Sequence, residues 1–396
     1  MDFIWLSAQF WDGLWVRSQW FAHEIGALGH RVLFVEPNLS VLAPISDSAT
    51  RPYVGKWTLG LRHVEPRVWV VSPPPLFPFH HRSLFINQVN GYMVSVGVRH
   101  FIRSLGLRTQ LVWVSAPRAV SVLEHLNPDF VIYDCRDKHT AYPEEANRAT
   151  MVARFEQKLI EQADLVLFSA RELQQDHPGL EKSILVPPGV NIDLYTSALD
   201  PRLAPPPEAG SWSHLVVMYI GALDTWLDWD LVCCLAESKP EWTIVLVGPV
   251  GARASAELDR LPANVRVIGR RSLKELPRYL RVASVCVIPF QTNELTRYVN
   301  PLKLYEYLAA GKPVVSSPLP EVQRFAEPGI VEIAHSAVEF QDRIEHLAQN
   351  DNEELCRRRT WIAEQHSWTN RVQMILEAIV ARCRALPNHR LYGKLG

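Results

Sequence analysis

The chain has 396 residues, 47% of them hydrophobic and 21% charged, enough for two α/β domains with cores of their own. A formal net charge of -1 leaves no field to draw nucleic acid, and six scattered cysteines without a C-x-x-C pair argue for free thiols over zinc or disulfides. Asp2 stands where a secretory leader needs positive charge, and no stretch approaches the ~20 apolar residues of a membrane span, so a soluble, cytoplasmic protein is expected.

From the N-terminus, short β-branched runs alternate with segments of helical period, the pattern of parallel sheets covered by helices. Strands are expected over 3–7, 31–35, 69–71, 111–115, 130–133, 165–169 and 184–186, with helices over 17–28 and 81–105. Gly29 stands where a left-handed C-cap closes the first helix. The segment PPPLFPFHHRSLF, 73–85, sets aromatics beside Arg and His and reads as a loop packing on its own domain, with a membrane-surface contact as the alternative. His80 and His81 within it read as ordinary surface or core histidines. The aperiodic, proline-rich run LAPPPEAG, 203–210, marks a linker over 201–211 between a domain of 1–200 and one of 212–375. Alternation then resumes with strands over 216–220, 243–247, 265–268, 285–288 and 314–316, followed by helices over 352–365 and 369–384. The tail, 376–396, is expected to pack back on the first domain. The fold class is therefore α/β, two Rossmann-like doubly wound domains facing each other across a cleft, with functional residues placed just after strands.

Asp228-Trp229-Asp230 spells the D-x-D of metal-dependent transferases, but it falls where a helix should begin and Asp is favoured in a first turn. It reads as a helix start, and no metal is expected. Arg357-Arg358-Arg359 reads as one solvated helix face. No G-x-G-x-x-G follows the first strand and no G-x-S-x-G appears, which disfavours a nicotinamide dehydrogenase and an ordinary hydrolase.

The chemistry concentrates in NPLKLYEYLAAGKPVV, Asn300 to Val315. Asn300 suits an N-cap, Pro301 suits the first helical position ahead of Leu302, and Gly311 ends the helix. Free N–H groups and the positive end of the dipole make such a start an anion site. Lys303 and Glu306, three apart, share a face, where a lysine can neutralise a diphosphate and a glutamate one turn deeper can accept from ribose hydroxyls. An ordinary amphipathic helix with a surface Lys–Glu pair would use the same residues.

The segment resembles the nucleotide-binding helix of retaining family 4 glycosyltransferases of the GT-B fold, in the cell-surface polysaccharide subgroup whose motif reads N-P-x-K-x-x-E-Y-L-A-A-G-K-P-V-V. QFWDGLW, LGHRVLFVEP, VIYDCRDKHTAYP, EQADLVLFSARELQ, VPPGVNIDLY, GALDTWLDWDLV, VRVIGRRSLKELPRYL and HSWTNRVQMILEAI match in the family's order, so the resemblance spans nearly the whole chain. It implies transfer of a sugar from a nucleoside-diphosphate sugar to a glycan or lipid-linked acceptor, without cofactor, metal or nucleic acid. It also implies a peripheral contact at the inner face of the cell membrane. By the same resemblance Glu306 takes the ribose, while Lys303 and the amides after Asn300 take the diphosphate. Gly13 lies in a loop approaching the donor, Gly221 opens the turn after the strand at 216–220, and Arg270 meets the base or a phosphate. Asp134, Asp137 and His139 line the sugar and acceptor side.

Two departures from the family pattern matter. The first of two family glutamates falls at Tyr298, leaving Glu294 as a substitute. The basic pair expected after Ile220 is replaced by Gly221-Ala222-Leu223-Asp224, so Arg297, Arg270, Arg17 or a second-domain lysine must supply charge, with Arg297 beside Lys303 preferred. A sugar-nucleotide epimerase of the same fold, or a non-catalytic nucleotide-sugar-binding partner of another transferase, stays open.

Overall fold

The computed structural model describes residues 1–42, 60–78, 83–142, 149–385 and 391. His80 and His81 lie outside the described residues. The chain divides into two units, Met1–Pro187 with Arg371–Gly396, and Pro188–Asn370.

In the first unit the strands are β1 (Asp2–Leu6), β2 (Arg31–Val35), β3 (Gly60–Glu65), β4 (Val68–Ser72), β5 (Leu111–Val114), β6 (Phe130–Cys135), β7 (Leu165–Phe168) and β8 (Ser183–Leu185), in the order β3-β4-β2-β1-β5-β6-β7-β8. All pairs are parallel except β3 with β4. The central strands are buried along nearly their whole length and mostly apolar, as strands covered on both faces are. Trp5 on β1 stacks on Trp113 of β5 with ring centroids 4.2 Å apart. Strand β3 was not expected from the sequence. Its GLRHVE is half-exposed at the sheet edge and carries Arg, His and Glu, so it lacks an apolar period.

The second unit holds β9 (Val216–Ile220), β10 (Thr243–Val247), β11 (Val265–Gly269), β12 (Val285–Ile288), β13 (Val314–Ser316) and β14 (Val331–Ile333), in the order β11-β10-β9-β12-β13-β14. Every pair is parallel, and the order is that of a doubly wound nucleotide-binding sheet. Strand β14, only three residues long, is again an edge that the sequence pattern did not show.

The division at Pro187 and Pro188 lies ahead of the proline-rich run expected to be the linker. That run belongs to the second unit: Pro207–Ser211 forms a 3₁₀ turn, and the Arg278 guanidinium donates to the carbonyls of Ala204 and Pro205, each at 2.9 Å. Prolines cannot donate but still accept, and an arginine fork spans two such carbonyls. At the other end the Trp368–Ala385 helix re-enters the first unit from Arg371, where Arg382 Nε donates to the Asp164 carbonyl at 3.2 Å.

Asp228 behaves as the helix start expected of it, since its Oδ1 accepts from Leu231 N at 3.0 Å ahead of the Trp229–Ser238 helix. All six cysteines are free, and Cys135, Cys286 and Cys383 are buried. No helix among the described residues is long and apolar enough to cross a membrane.

The basic run at 357–359 is corrected by the structure. Arg357 and Arg358 face solvent, but Arg359 is fully buried. Arg359 donates to the carbonyls of Gly311 (2.8 Å) and Gly329 (2.6 Å) and pairs with Asp351. Gly311 and Gly329 have φ of 69° and 77°, and the turns they close leave carbonyls that only a forked donor can reach together. Arg359→Lys is expected to lower stability by about 1–3 kcal/mol, read as a shifted urea midpoint, because one ammonium cannot satisfy all three acceptors.

Candidate active site

In the second unit the strand order reverses between β9 and β12, and chain leaving the carboxyl ends of those strands is where a doubly wound sheet binds ligands. The turn after β9 opens with Gly221, and the segment after β12 leads into the helix Leu302–Ala309. The start of that helix differs from expectation by one residue. Pro301, with extended backbone, occupies the cap position, and no side chain caps the helix. Asn300 cannot do so because its Oδ1 accepts from the Tyr305 hydroxyl at 3.0 Å. The first turn therefore keeps N–H groups that no capping side chain takes, as an anion site requires.

Lys303 and Glu306 do not form a surface pair. The helix is buried from Leu304 to Ala310, and Glu306 is only 8% exposed. Lys303 Nζ stands 4.5 Å from the centroid of Phe290 and 5.0 Å from that of Tyr219, an aromatic cradle for a cation. The floor beneath the lysine is Gly221, where an added Cβ would meet Lys303 Cε at 2.9 Å. Burial lowers the Lys303 ammonium from 10.5 to about 8, with Glu306 opposing the shift. Glu306 is raised by burial, against the Tyr195 hydrogen bond and the Lys303 charge. Tyr307 pins the helix to the end of β9 by accepting from Ile220 N at 2.7 Å.

Tyr195 escaped the sequence reading. Asn191 caps a short helix, Ile192–Thr196, by accepting from Leu194 N, and that helix carries the buried Tyr195 hydroxyl to Glu306 Oε1 at 2.7 Å. VPPGVNIDLY matched the family in order, but nothing in it pointed to a contact 111 positions away. Tyr195→Phe removes one hydrogen bond to a buried carboxylate and is expected to raise the KM for a nucleotide donor about tenfold, with kcat nearly unchanged.

Three of the other expected second-unit residues are exposed. Arg297 and Glu294 lie exposed on the one-turn helix Glu294–Arg297, and the Arg297 guanidinium sits over the neighbouring Tyr298 ring at 5.7 Å. Tyr298, where the family acid was expected, is buried. Arg270 is exposed directly after β11. A cavity of about 810 Å³ beside β14, where Glu327, Glu332, Glu339 and Asp342 outnumber Arg343, His335 and His346, holds none of the expected residues.

In the first unit two expectations are corrected. Asp134 is 0% exposed and Arg17 nearly so, because Arg17 Nε donates to both Asp134 oxygens at 2.9 and 3.1 Å and Nη1 donates to the Val186 carbonyl at 2.7 Å. Arg17 is thus no donor-site cation and Asp134 presents no surface to a sugar; together they tie β6 to the helix Arg17–Ala27. Asp137 is partly exposed and pairs with Arg136 at 3.4 Å. The His139 Nε2 is buried without a hydrogen-bond partner, and desolvation keeps the ring's pKa below 6.5. Gly13 N donates to Phe10 O at 3.0 Å in a loop anchored by Glu36. The Glu36 carboxylate accepts from Trp11 N (2.9 Å), Arg62 (3.1 Å) and Ser72 (2.5 Å).

Residues 214–350 match the family model described as Glycosyl transferases group 1. The putative teichuronic acid biosynthesis glycosyltransferase TuaH of Bacillus subtilis (strain 168) is 29% identical over 286 residues, 67% of this chain and 70% of that protein. Among solved structures, sucrose-phosphate synthase from Thermosynechococcus elongatus superposes with a TM-score of 0.70 at 14% identity, covering 97% of this chain and 99% of that one. Anabaena HepE, in complex with UDP and glucose, gives a TM-score of 0.66 at 16% identity, covering 96% of this chain and 100% of its own. At these identities the two superpositions are likenesses of fold.

Proposed function

We propose that the chain is a glycosyltransferase of the GT-B fold whose donor is a nucleotide sugar, held by Lys303, Glu306 and the helix start at Leu302. The observation that carries the assignment is the uncapped helix start beside a lysine held between Phe290 and Tyr219, one turn from a carboxylate fixed by Tyr195. The lysine and the helix N–H groups take the diphosphate, and Glu306 accepts from the ribose hydroxyls. Arg297 supplies further positive charge as the leaving group departs, and Arg270 meets the base or a phosphate. Glu294, exposed on the same segment as Arg297, stands in for the acid absent at Tyr298. HepE, solved with UDP, makes uridine the first base to try.

The first unit, by this reading, takes the acceptor through Asp137 and His139. The acceptor is a glycan or a lipid-linked glycan, and the enzyme works peripherally at the inner face of the cell membrane; a relative named for teichuronic acid biosynthesis supports a surface polymer. The anomeric configuration is retained. The acceptor hydroxyl attacks from the leaving-group side, the bond to the diphosphate breaks, and the departing phosphate oxygen takes the hydroxyl proton. Asp134, locked by Arg17, and Tyr298 in place of an acid argue against a two-step route through those two positions.

Purified protein with UDP-sugars and candidate acceptors tests this. UDP release that requires acceptor is expected, with a product anomer matching the donor by NMR. An isomerised donor without acceptor would mark an epimerase, binding without turnover a non-catalytic protein, and an inverted product would overturn retention.

A further inference from the structure

The helix Leu84–Ser104 has two apolar faces where one would suffice. One face packs inward through Gly91, Val94, Gly97, Val98 and Phe101. The opposite face exposes Phe85 (74%), Tyr92 (53%), Met93 and Val96 at helical spacing. Phe77, also exposed, is fixed against the same helix: its N donates to Asn90 Oδ1 at 3.2 Å and its carbonyl accepts from Asn90 Nδ2 at 2.9 Å. Exposed aromatic and aliphatic side chains along one helix face, as at Phe85, Tyr92, Met93 and Val96, mark a contact surface.

Charge selects the occupant. LFINQVNGYMVSVGVRHFIRS contains no Asp or Glu, and its charged residues, Arg99 and Arg103 with His100 beside them, all lie in its last two turns. Arg99 donates to the His125 carbonyl at 2.6 Å, and its guanidinium lies 5.9 Å from the Tyr92 ring, so a cationic rim adjoins the apolar stripe. Aromatic and aliphatic side chains that sink to the acyl boundary, with basic groups at headgroup level, are what an anionic lipid surface accepts. We infer that this helix is the membrane-docking face of the enzyme, lying in the plane of an anionic bilayer. The inference deepens the reading of a lipid-linked acceptor and rests on it for its purpose.

The test is sedimentation of the full chain with vesicles of phosphatidylglycerol and phosphatidylcholine, at low and high salt, beside the triple variant Phe85→Gln, Tyr92→Gln, Met93→Gln. The wild type is expected to co-sediment and to be weakened by salt and by omission of phosphatidylglycerol. The triple variant should partition at least about tenfold less, at an unchanged melting temperature and UDP affinity. Failure of the wild type to bind vesicles, or equal binding by the variant, overturns the inference. So does a wild-type dimer that ignores vesicles and becomes monomeric in the variant, which would make the face a protein contact. A wild type that binds no vesicles yet keeps acceptor-dependent UDP release removes this inference alone, whereas a wild type that binds vesicles but not UDP removes the donor assignment alone.

Discussion

Lys303→Ala is expected to raise the Kd for UDP, or for whichever nucleoside diphosphate binds, by about ten- to a hundredfold by calorimetry. The magnitude follows from removing a charge-assisted contact, worth about 1.5–3 kcal/mol, from a site with little water to replace it. Loss of packing is a separate effect, since the lysine stem rests on Phe290 and Tyr219. Lys303→Met keeps the stem and removes the charge, so it should lose affinity as severely while melting at or above the wild-type temperature. Unchanged affinity in either variant would sink the donor assignment. The pH profile gives a second reading. In the empty site the ammonium titrates at about 8, and only the charged form attracts a diphosphate. Affinity should be flat at lower pH and fall as pH rises through about 8, by up to about tenfold per unit, and Lys303→Met should flatten that fall. Stability runs the other way. Between about 8 and 10.5 the unfolded chain holds more protons at this residue than the folded one, so the cost of burying the charge is relieved as pH rises.

Period and punctuation made most of both sheets legible, because central strands covered on both faces read as unbroken apolar runs. Strands β3 and β14 were invisible for the complementary reason: each is a short edge with partly exposed residues and no period to detect. The unit boundary was misplaced because prolines signal extended backbone, and extended backbone can lie along a domain as well as between domains. At the site, one turn of helix was enough to pair Lys303 with Glu306. What could not be read were the groups that arrive from distant sequence, namely Tyr195 on Glu306 and Phe290 with Tyr219 around Lys303. Sequence spacing also said nothing of burial, which is why Arg359 looked solvated and Asp134 looked ready for substrate.

Asp134 separates a catalytic from a structural role in one experiment. With its carboxylate removed, the Arg17 guanidinium stays buried without the charge that balances it, and Asp134→Ala is expected to destabilise the first unit by about 3–5 kcal/mol. The loss should appear as an earlier urea transition for that unit, while UDP binding in the second unit persists at low denaturant. Were Asp134 a group acting on the sugar, the variant would instead remain stable and stop turning over. The double variant Arg17→Met, Asp134→Leu sharpens the contrast, because replacing a buried ion pair by apolar side chains of similar volume is often neutral. It should recover most of the lost stability, short of the one hydrogen bond to Val186. If the recovered protein also releases UDP in the presence of acceptor, the pair serves only to hold β6 against the helix Arg17–Ala27. If it folds but is inert, Asp134 returns to the catalytic machinery despite its burial.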